Sequence, residues 1–361
     1  MKKIGKQVLF LPAEGSVRRN GEGAFIRLKN GMIMYAFTSF SGGEKDDDYA
    51  AIHAVFSQDE GETWSGEEEL LRPEDADSNI MSVSLLRMLN GDLGLFFLRK
   101  RGGDCRLNLV RSEDEGKTWG EPVICCDKGY YVVNNDRVIR LQNGSILFPA
   151  NRHVRTDSGY SVQYVFRSDD DGRTWHKTGR PVKHPFANSS SGLQESGLFQ
   201  YDDGTLWAFA RTRSGSQFMM FSDDEGKTWT RPYGSELFTS PDSPMQVKRS
   251  GPYTLAVFNP KPRYFGRMEL EEHETGRKLR ARTPLVLAVS HDGGRTFENG
   301  YLLEDDPSNA YCYPALFEGE QYFLAAYYHS NDTGDCLNSL KILKVSYSEM
   351  DEARTFSGKR P

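Results

Sequence analysis

The sequence predicts an all-β fold: a six-bladed β-propeller whose blades are four-stranded and antiparallel. Two interleaved repeats support this prediction. An eight-residue phrase, Ser-x-Asp-x-Gly-x-Thr-Trp, recurs at intervals of 54 to 68 residues, a period that suits a four-stranded unit better than a pair of helices. A tight-turn dipeptide followed by an apolar run recurs six times along the same chain, as expected for a turn that leads into a strand.

The eight-residue phrase, called the Asp-box below, predicts the hairpin between the third and fourth strands of blades one to five. Its copies begin at Ser57, Ser112, Ser168, Ser222 and Ser290, and the last ends in Phe instead of Trp. The Asp side chain can accept backbone hydrogen bonds and the Gly permits positive φ, so the phrase is typical of a turn. Four of the five tryptophans occupy its last position, which indicates packing and not catalysis.

The second repeat predicts the hairpin between the first and second strands of each blade. Its copies are Asn30-Gly31, Asn90-Gly91, Asn143-Gly144, Asp203-Gly204, Ser250-Gly251 and Glu318-Gly319. Blade six has no Asp-box and ends in the run Leu340–Val345. We expect the early run Val8–Leu11 to supply its missing edge strand and thereby close the ring, which hides two sheet edges.

The composition limits the possible functions. The 361 residues fit one propeller domain spanning 1–361, and the net charge of −6 argues against a nucleic-acid surface. No apolar run is long enough to span a bilayer, and the run after the basic N-terminus is too short for a secretory signal. The five cysteines form no obvious disulfide framework, so a reducing, cytoplasmic location is expected unless a signal was removed. No Cys/His spacing suggests a metal site, and no cofactor is expected.

One segment breaks the repeat. The interval before the fifth Asp-box is the longest, and its excess lies in Pro260–Arg282, which is dense in charged residues. We expect this segment to form a loop over one rim of the propeller, where binding residues are common.

A propeller with this motif and this blade number resembles the sialidase (neuraminidase) superfamily, specifically bacterial BNR or Asp-box proteins. The resemblance implies three arginines that bind a substrate carboxylate, because a guanidinium group makes two-point contacts with a carboxylate. Arg19, Arg211 and Arg282 occupy corresponding places. Arg18 remains an alternative to Arg19, and Arg280 remains an alternative to Arg282.

The same resemblance implies a tyrosine nucleophile, a known exception among retaining glycosidases. Tyr313, in Tyr311-Cys312-Tyr313-Pro314, matches that position, with Tyr311 as the alternative. Glu195, an acid on an otherwise apolar inner strand, matches the carboxylate that activates the phenol. Asp48 is the predicted proton donor, although Asp46 and Asp47 stand beside it.

A further phrase, Asn135-Asp136-Arg137, opens blade three and has no obvious counterpart in sialidases. We predict that these side chains line the substrate pocket beside the arginines; the other interpretation is a buried polar network between blades.

The sequence as a whole therefore predicts a retaining exo-glycosidase of sialidase type acting on an acidic carbohydrate, with neither nucleic acid nor membrane as a partner. Two alternatives stay open: a glycosidase or lyase acting on another acidic glycan, such as one containing uronic acid, and a carbohydrate-binding propeller without turnover.

Overall fold

The computed structural model describes residues 1–154, 160–261, 282–330 and 337–357. Most of the predicted rim segment Pro260–Arg282, including Arg280, lies outside these residues. Within the four described ranges, no helix is long and apolar enough to cross a membrane.

The described residues form strands in six sheets and one helix. The strands are β1 (Lys6–Leu11), β2 (Arg19–Arg27), β3 (Ile33–Phe40), β4 (Ala50–Ser57), β5 (Glu68–Leu71), β6 (Asn79–Arg87), β7 (Leu93–Arg101), β8 (Asp104–Ser112), β9 (Val123–Ile124), β10 (Tyr131–Val132), β11 (Ile139–Arg140), β12 (Ile146–His153), β13 (Ser161–Ser168), β14 (His176–Val182), β15 (Gln194–Gln200), β16 (Leu206–Arg211), β17 (Ser216–Ser222), β18 (Tyr233–Thr239), β19 (Gln246–Ser250), β20 (Tyr253–Phe258), β21 (Leu285–Ser290), β22 (Glu298–Glu304), β23 (Tyr311–Glu318), β24 (Tyr322–Ser330) and β25 (Leu337–Ser346). The helix is α1 (Tyr347–Ser357).

Each sheet is one blade, and the six-bladed propeller is confirmed. Blades one, two, four and five are the consecutive antiparallel sets β2–β5, β6–β9, β15–β18 and β19–β22. Blade three has an interrupted inner strand, because β10 and β11 both pair with β12. Blade six comprises β23, β24 and β25, and β1 pairs with β25 as its outer strand. The early apolar run therefore closes the ring, as the sequence predicted.

The Asp-boxes form the predicted turns between the third and fourth strands, and all five share one hydrogen-bond pattern. In the first, Ser57 Oγ donates to Asp59 at 2.8 Å, and Thr63 donates to the same carboxylate through its amide at 2.9 Å and its hydroxyl at 2.6 Å. These bonds from Thr63 lower the pKa of Asp59 to about 2. The residue before the box glycine, Glu60, and Gly61 itself both have positive φ, so the turn needs a left-handed pair of residues.

Six apolar clusters fill the six contacts between neighbouring blades. In five of them the aromatic residue that ends an Asp-box packs against the cluster formed with the preceding blade: Trp64, Trp119, Trp175, Trp229 and Phe297. The sixth contact, between blades five and six, contains Tyr347 and Met350 of α1 together with Ile4. The helix, which the sequence did not predict, thus supplies the apolar groups that the missing sixth Asp-box would have provided.

The turns that the two repeats form all lie at one end of the propeller. Because neighbouring strands are antiparallel, the hairpin between the first and second strands and the Asp-box of each of blades one to five lie at the same end of the strands. The opposite end carries the beginning of each inner strand and the loop between the second and third strands. Arg19 at the start of β2 and Arg211 at the end of β16 both belong to this second end.

We predict that replacing Trp175 by Ala lowers the free energy of unfolding by about 3 kcal/mol, because a large, partly buried aromatic group is lost from the contact between blades two and three. Its ring lies 5.2 Å from that of Phe148 and 6.1 Å from that of Phe96. Urea unfolding followed by tryptophan-independent circular dichroism measures the change. Tyr233→Ala, at an exposed ring, is the control and should change the free energy by less than about 1 kcal/mol; an equal loss in both variants would contradict the packing role.

Candidate active site

In four blades a β-bulge near the start of the inner strand places a residue in left-handed backbone, and blade three has such a residue at the equivalent position without a bulge. The bulges lie in β2, β6, β15 and β23, and the equivalent position of blade three falls between β10 and β11. The residues with positive φ at this position are Glu22, Ser82, Asp136, Glu195 and Tyr313. Left-handed backbone is costly for residues other than glycine and is concentrated at functional sites, and two of the five are the predicted catalytic pair.

Tyr313 and Glu195 are in direct contact, as predicted. The Tyr313 hydroxyl donates to Glu195 Oε1 at 2.8 Å. Arg211 Nη1 donates to Glu195 Oε2 at 2.5 Å and to the Tyr313 hydroxyl oxygen at 3.1 Å. Blades four and six thus meet in a phenol, a carboxylate and a guanidinium group that share hydrogen bonds.

The electrostatic setting keeps the Tyr313 phenol protonated at rest. Burial and the charge of Glu195 raise its pKa well above the ordinary value, although Arg211 and Arg282 act in the opposite direction. A phenolate would therefore form only if its proton passed to a neighbour during a reaction, and the Glu195 carboxylate is already placed to receive it.

Asp242, which the sequence analysis missed, orients two of the three predicted arginines. Its carboxylate accepts from Arg211 Nε at 2.6 Å and from Arg213 Nε at 2.9 Å. Its backbone carbonyl accepts from Arg282 Nη2 at 2.8 Å. Although burial alone would raise the pKa of Asp242, the charge of Arg211 outweighs it and the pKa is lowered, so this carboxylate remains ionised.

Arg282 completes the same side of the site. Its Cζ lies 5.7 Å from the centre of the Tyr313 ring, and its Nη1 lies 3.1 Å from Cys312 Sγ. Arg282 and Arg211 therefore both face the phenol, and both are held by Asp242.

Arg19 approaches from blade one. Its guanidinium group stacks on Phe40 at 3.7 Å and lies 5.9 Å from the ring of Tyr328, which in turn stands 5.8 Å from the ring of Tyr313. Its Nη2 donates to Asp46 Oδ1 at 2.8 Å. The three predicted arginines thus come from blades one, four and five: Arg211 and Arg282 lie next to Tyr313, whereas Arg19 is separated from it by the ring of Tyr328.

The three acids of the run Asp46–Asp48 make different contacts in the structure. The Asp48 carboxylate accepts from the backbone amide of Lys45 at 2.8 Å and so stabilises its own loop. The Asp47 carboxylate pairs with Lys100 at 3.1 Å. Asp46 alone of the three contacts a predicted arginine, and sequence spacing could not distinguish adjacent residues in a loop without regular geometry.

Two other pairs of alternatives, Arg18 or Arg19 and Tyr311 or Tyr313, differ clearly in their surroundings, whereas Arg280 lies outside the described residues. Arg18 is exposed whereas Arg19 is largely covered. Tyr311 is 1% exposed and packs in the core between blades five and six. The bulge after Cys312 breaks the strand alternation, so Tyr311 and Tyr313 do not share a surface despite their spacing of two.

Comparison with known proteins agrees with this architecture. The family model for the BNR repeat-like domain matches residues 31–326. The chain belongs to the BNR repeat-like family. A sialidase from Bacteroides fragilis (strain YCH46) is 24% identical over 248 residues, which are 66% of this chain and 42% of that protein. The chain therefore spans less than half the length of this curated relative.

Solved structures share the fold of this BNR repeat-like protein. A Dyadobacter fermentans DSM 18053 protein of unknown function is 18% identical, with a TM-score of 0.72 and coverage of 94% of this chain and 99% of that one. The NanB sialidase from Streptococcus pneumoniae is 12% identical, with a TM-score of 0.71 and coverage of 96% and 71%. Trypanosoma rangeli sialidase in complex with sialic acid is 13% identical, with a TM-score of 0.69 and coverage of 99% and 60%. Together with the family match, they place the chain in a sialidase-like BNR superfamily.

The structure places the side chains of the phrase Asn135-Asp136-Arg137 in contact with other blades. The Arg137 side chain is buried, and it donates to Gln246 Oε1 at 2.5 Å and to the Met245 carbonyl at 2.6 Å. Asp136 pairs with Lys248 at 3.0 Å. Asn135 Nδ2 donates to the carbonyl of Gly23 at 2.9 Å and reaches that of Tyr313 at 3.4 Å.

This phrase therefore forms a buried polar network that joins blade three to blades one, five and six. These contacts fit the other interpretation of the phrase, a buried polar network between blades. The inner strand of blade three is interrupted here, and the side chains reach partners on other blades.

Glu22 is a second residue that the sequence analysis missed. It accepts from Ser82 Oγ and, at 3.4 Å, from the Tyr328 hydroxyl. Burial raises the pKa of Glu22 to about 7. The positive charge of Arg19 lowers this pKa, and the negative charge of Asp46 raises it further. The signal in the sequence was weak, since Glu22 stands among Arg19, Asn20 and two glycines at the start of β2 and not on an apolar stretch. Among the described residues, no His, Cys, Asp or Glu cluster could hold a metal ion.

We predict that replacing Glu22 by Gln stabilises the protein at alkaline pH. The pKa of Glu22 is about 7 in the folded protein and about 4.3 in an unfolded chain. Ionised Glu22 is therefore disfavoured in the folded state, and the parent loses stability as the pH rises between these values. Urea unfolding should show little difference near pH 4 and an advantage for Glu22→Gln on the order of 2 kcal/mol near pH 8.

The control for this prediction is Glu121→Gln, at an exposed side chain. It should change the free energy of unfolding equally at both pH values. A Glu22→Gln effect that is the same at both pH values would show that Glu22 does not titrate in this range.

Proposed function

We propose that this protein is a retaining exo-glycosidase of sialidase type that removes a terminal sialic acid, or a related acidic sugar, from a glycoconjugate. The observation that carries the proposal is the group around Tyr313. Its hydroxyl donates to Glu195 at 2.8 Å and accepts from Arg211 at 3.1 Å, and its ring centre lies 5.7 Å from Arg282 Cζ. A phenol paired with a base and surrounded by guanidinium groups suits a substrate that carries a carboxylate on its reacting carbon.

The arginines provide the carboxylate-binding function. Arg19, Arg211 and Arg282 present charged, planar groups from three blades, and a carboxylate can accept two hydrogen bonds from such a group. The side chains of Arg19 and Arg211 are 12% and 13% exposed, so an anion that reaches them is partly shielded from water. Shielding strengthens the electrostatic attraction.

Tyr313 serves as the nucleophile. A carboxylate nucleophile would repel the substrate carboxylate, whereas a neutral phenol does not. The phenol oxygen attacks the anomeric carbon as its proton passes to Glu195, which is already hydrogen-bonded to it. The bond from the anomeric carbon to the leaving oxygen breaks, and that oxygen takes a proton from Asp46.

Asp46 can change its protonation state during the cycle. In the structure the charge of Arg19 and its hydrogen bond lower the pKa of Asp46, against the opposing effect of the protein around this half-exposed carboxylate. A substrate carboxylate bound to Arg19 weakens this pairing and adds a negative charge nearby, and both effects raise the pKa of Asp46. In the second half of the reaction the Asp46 carboxylate takes a proton from water as the water oxygen bonds to the anomeric carbon. The bond between that carbon and the Tyr313 oxygen breaks, and the phenol recovers its proton from Glu195.

The alternative of an enzyme acting on a uronic-acid glycan rested on the phrase Asn135-Asp136-Arg137. Because these residues form a buried network between blades, no observation favours that alternative over the sialidase-type proposal. A carbohydrate-binding propeller without turnover is the outcome that the following experiment would reveal.

We predict that Tyr313→Phe and Glu195→Gln each lower kcat for a 4-nitrophenyl sialoside by at least about a thousandfold, because the nucleophile or its base is lost. Release of 4-nitrophenol measures the rate. Tyr311→Phe, at a buried tyrosine two residues away, is the matched control and should retain parental kcat. The proposal fails if the parent binds the sialoside without releasing product, or if the first two variants are as fast as the parent.

A second prediction concerns the identity of the proton donor. We expect Asp46→Asn to lower kcat/KM for a methyl sialoside by about a hundredfold or more, since a poor leaving group needs protonation. Asp48→Asn, which alters only a loop contact, should stay within about threefold of the parent on the same substrate. A larger loss in Asp48→Asn than in Asp46→Asn would restore the original choice.

A further inference from the structure

The loop that carries Asp46 is fixed by a neighbouring blade. This loop, residues 41–49, joins β3 to β4 in blade one. The Asp46 side chain is 63% exposed, and its ion pair with Arg19 is the contact that a substrate carboxylate would disrupt. Once substrate is bound, the position of Asp46 must therefore depend on what holds its backbone.

Two side chains of blade two hold that backbone. Asn79 Nδ2 donates to the carbonyls of Asp46 and Asp48, the latter at 3.0 Å. Lys100 Nζ donates to the Asp46 carbonyl and pairs with Asp47 at 3.1 Å. Asn79 and Lys100 are cross-strand partners at the ends of β6 and β7, so one point of blade two contacts three consecutive residues of the loop.

Lys100 is an unusual residue to find at this point. It is only 5% exposed, and lysine is rarely buried without a specific partner. Burial disfavours its charge, but the nearby Cys105, Tyr130 and Asp46 outweigh burial and raise its pKa. Its Nζ also lies 5.9 Å from the centre of the Tyr130 ring, so the ammonium group remains charged and is directed at the loop.

We propose that Lys100 and Asn79 are positioning residues that hold Asp46 at the leaving-group oxygen of the substrate. This inference rests on the proposed function. A displacement of the loop by about 1 Å would separate the acid from the leaving oxygen and weaken proton transfer, while Tyr313, Glu195 and the arginines on other blades would stay in place. The defect should therefore be confined to substrates whose leaving group needs a proton.

The test compares two sialosides that differ in their need for acid catalysis. A 4-nitrophenolate leaves without protonation, whereas the methoxide of a methyl sialoside does not. We expect Lys100→Met and Asn79→Ser to lower kcat/KM for the methyl sialoside by about tenfold or more, and that for the 4-nitrophenyl sialoside by less than about threefold. Lys100→Arg, which keeps the charge, should recover part of the loss.

Lys117→Met makes the same substitution at an exposed residue of an Asp-box, and it should match the parent on both substrates. Circular dichroism and Tm establish that each variant is folded; if Lys100→Met does not fold, Asn79→Ser provides the comparison. Asp46→Asn provides the reference for complete loss of the acid.

The possible outcomes distinguish the positioning role of Lys100 and Asn79 from the proposed glycosidase activity. A selective loss on the methyl sialoside in the folded variants supports the positioning role. The positioning role is overturned if Lys100→Met and Asn79→Ser lose equally on both substrates. It is also overturned if neither variant loses activity while Asp46→Asn shows the selective defect. Both outcomes leave the proposed function intact. A parent that cleaves neither sialoside overturns the proposed function and this inference with it.

Discussion

The β-bulge at the start of the inner strands is the constraint on which the site depends. It places Glu22, Glu195 and Tyr313 at equivalent positions of three blades, each in left-handed backbone. In an uninterrupted strand, alternate side chains would point into the contacts between blades, where the apolar clusters lie. The bulge interrupts this alternation, so polar groups can meet at the centre of the ring while the residues that follow remain in the core.

Such a backbone conformation is unfavourable by itself for glutamate and tyrosine, so the surrounding structure must stabilise it. Each blade contributes an apolar contact to both neighbours, and these contacts continue around the ring. Blade six, which has no Asp-box, uses the helix residues Tyr347 and Met350 in the same way, and β1 completes its sheet. The ring is thus closed by both a strand and a helix, and the inner strands are held at a fixed distance from one another.

Acidic residues contact the arginines on both sides of the site. Asp242 orients Arg211 and Arg282 on one side, and Asp46 pairs with Arg19 on the other. Tyr313 and Glu195 lie within this set of opposite charges, and the Tyr313 hydroxyl donates a hydrogen bond to Glu195. A buried arginine cluster without carboxylates would repel itself, and the acidic partners reduce that repulsion until an anionic ligand takes their place. Lys100 and Asn79 contact the backbone of the loop that carries Asp46.

The sequence alone determined the features that depend on local residue preferences or on a repeated pattern. The six turns, the five Asp-boxes and the strand that closes the ring were predicted, because turn chemistry and apolar alternation act over a few residues. The correspondence of Arg19, Arg211, Arg282, Glu195 and Tyr313 to the family positions also led to residues that the structure brings together.

The tertiary structure determined the features that depend on contacts between residues of different blades. Asp46 differs from Asp48 only through the path of an irregular loop and its contacts with blade two. Asn135, Asp136 and Arg137 became a network between blades because an interrupted strand turned them towards distant partners. Asp242 and Glu22 acquire their roles from residues that are far away in the chain, and no short-range pattern specifies such long-range contacts.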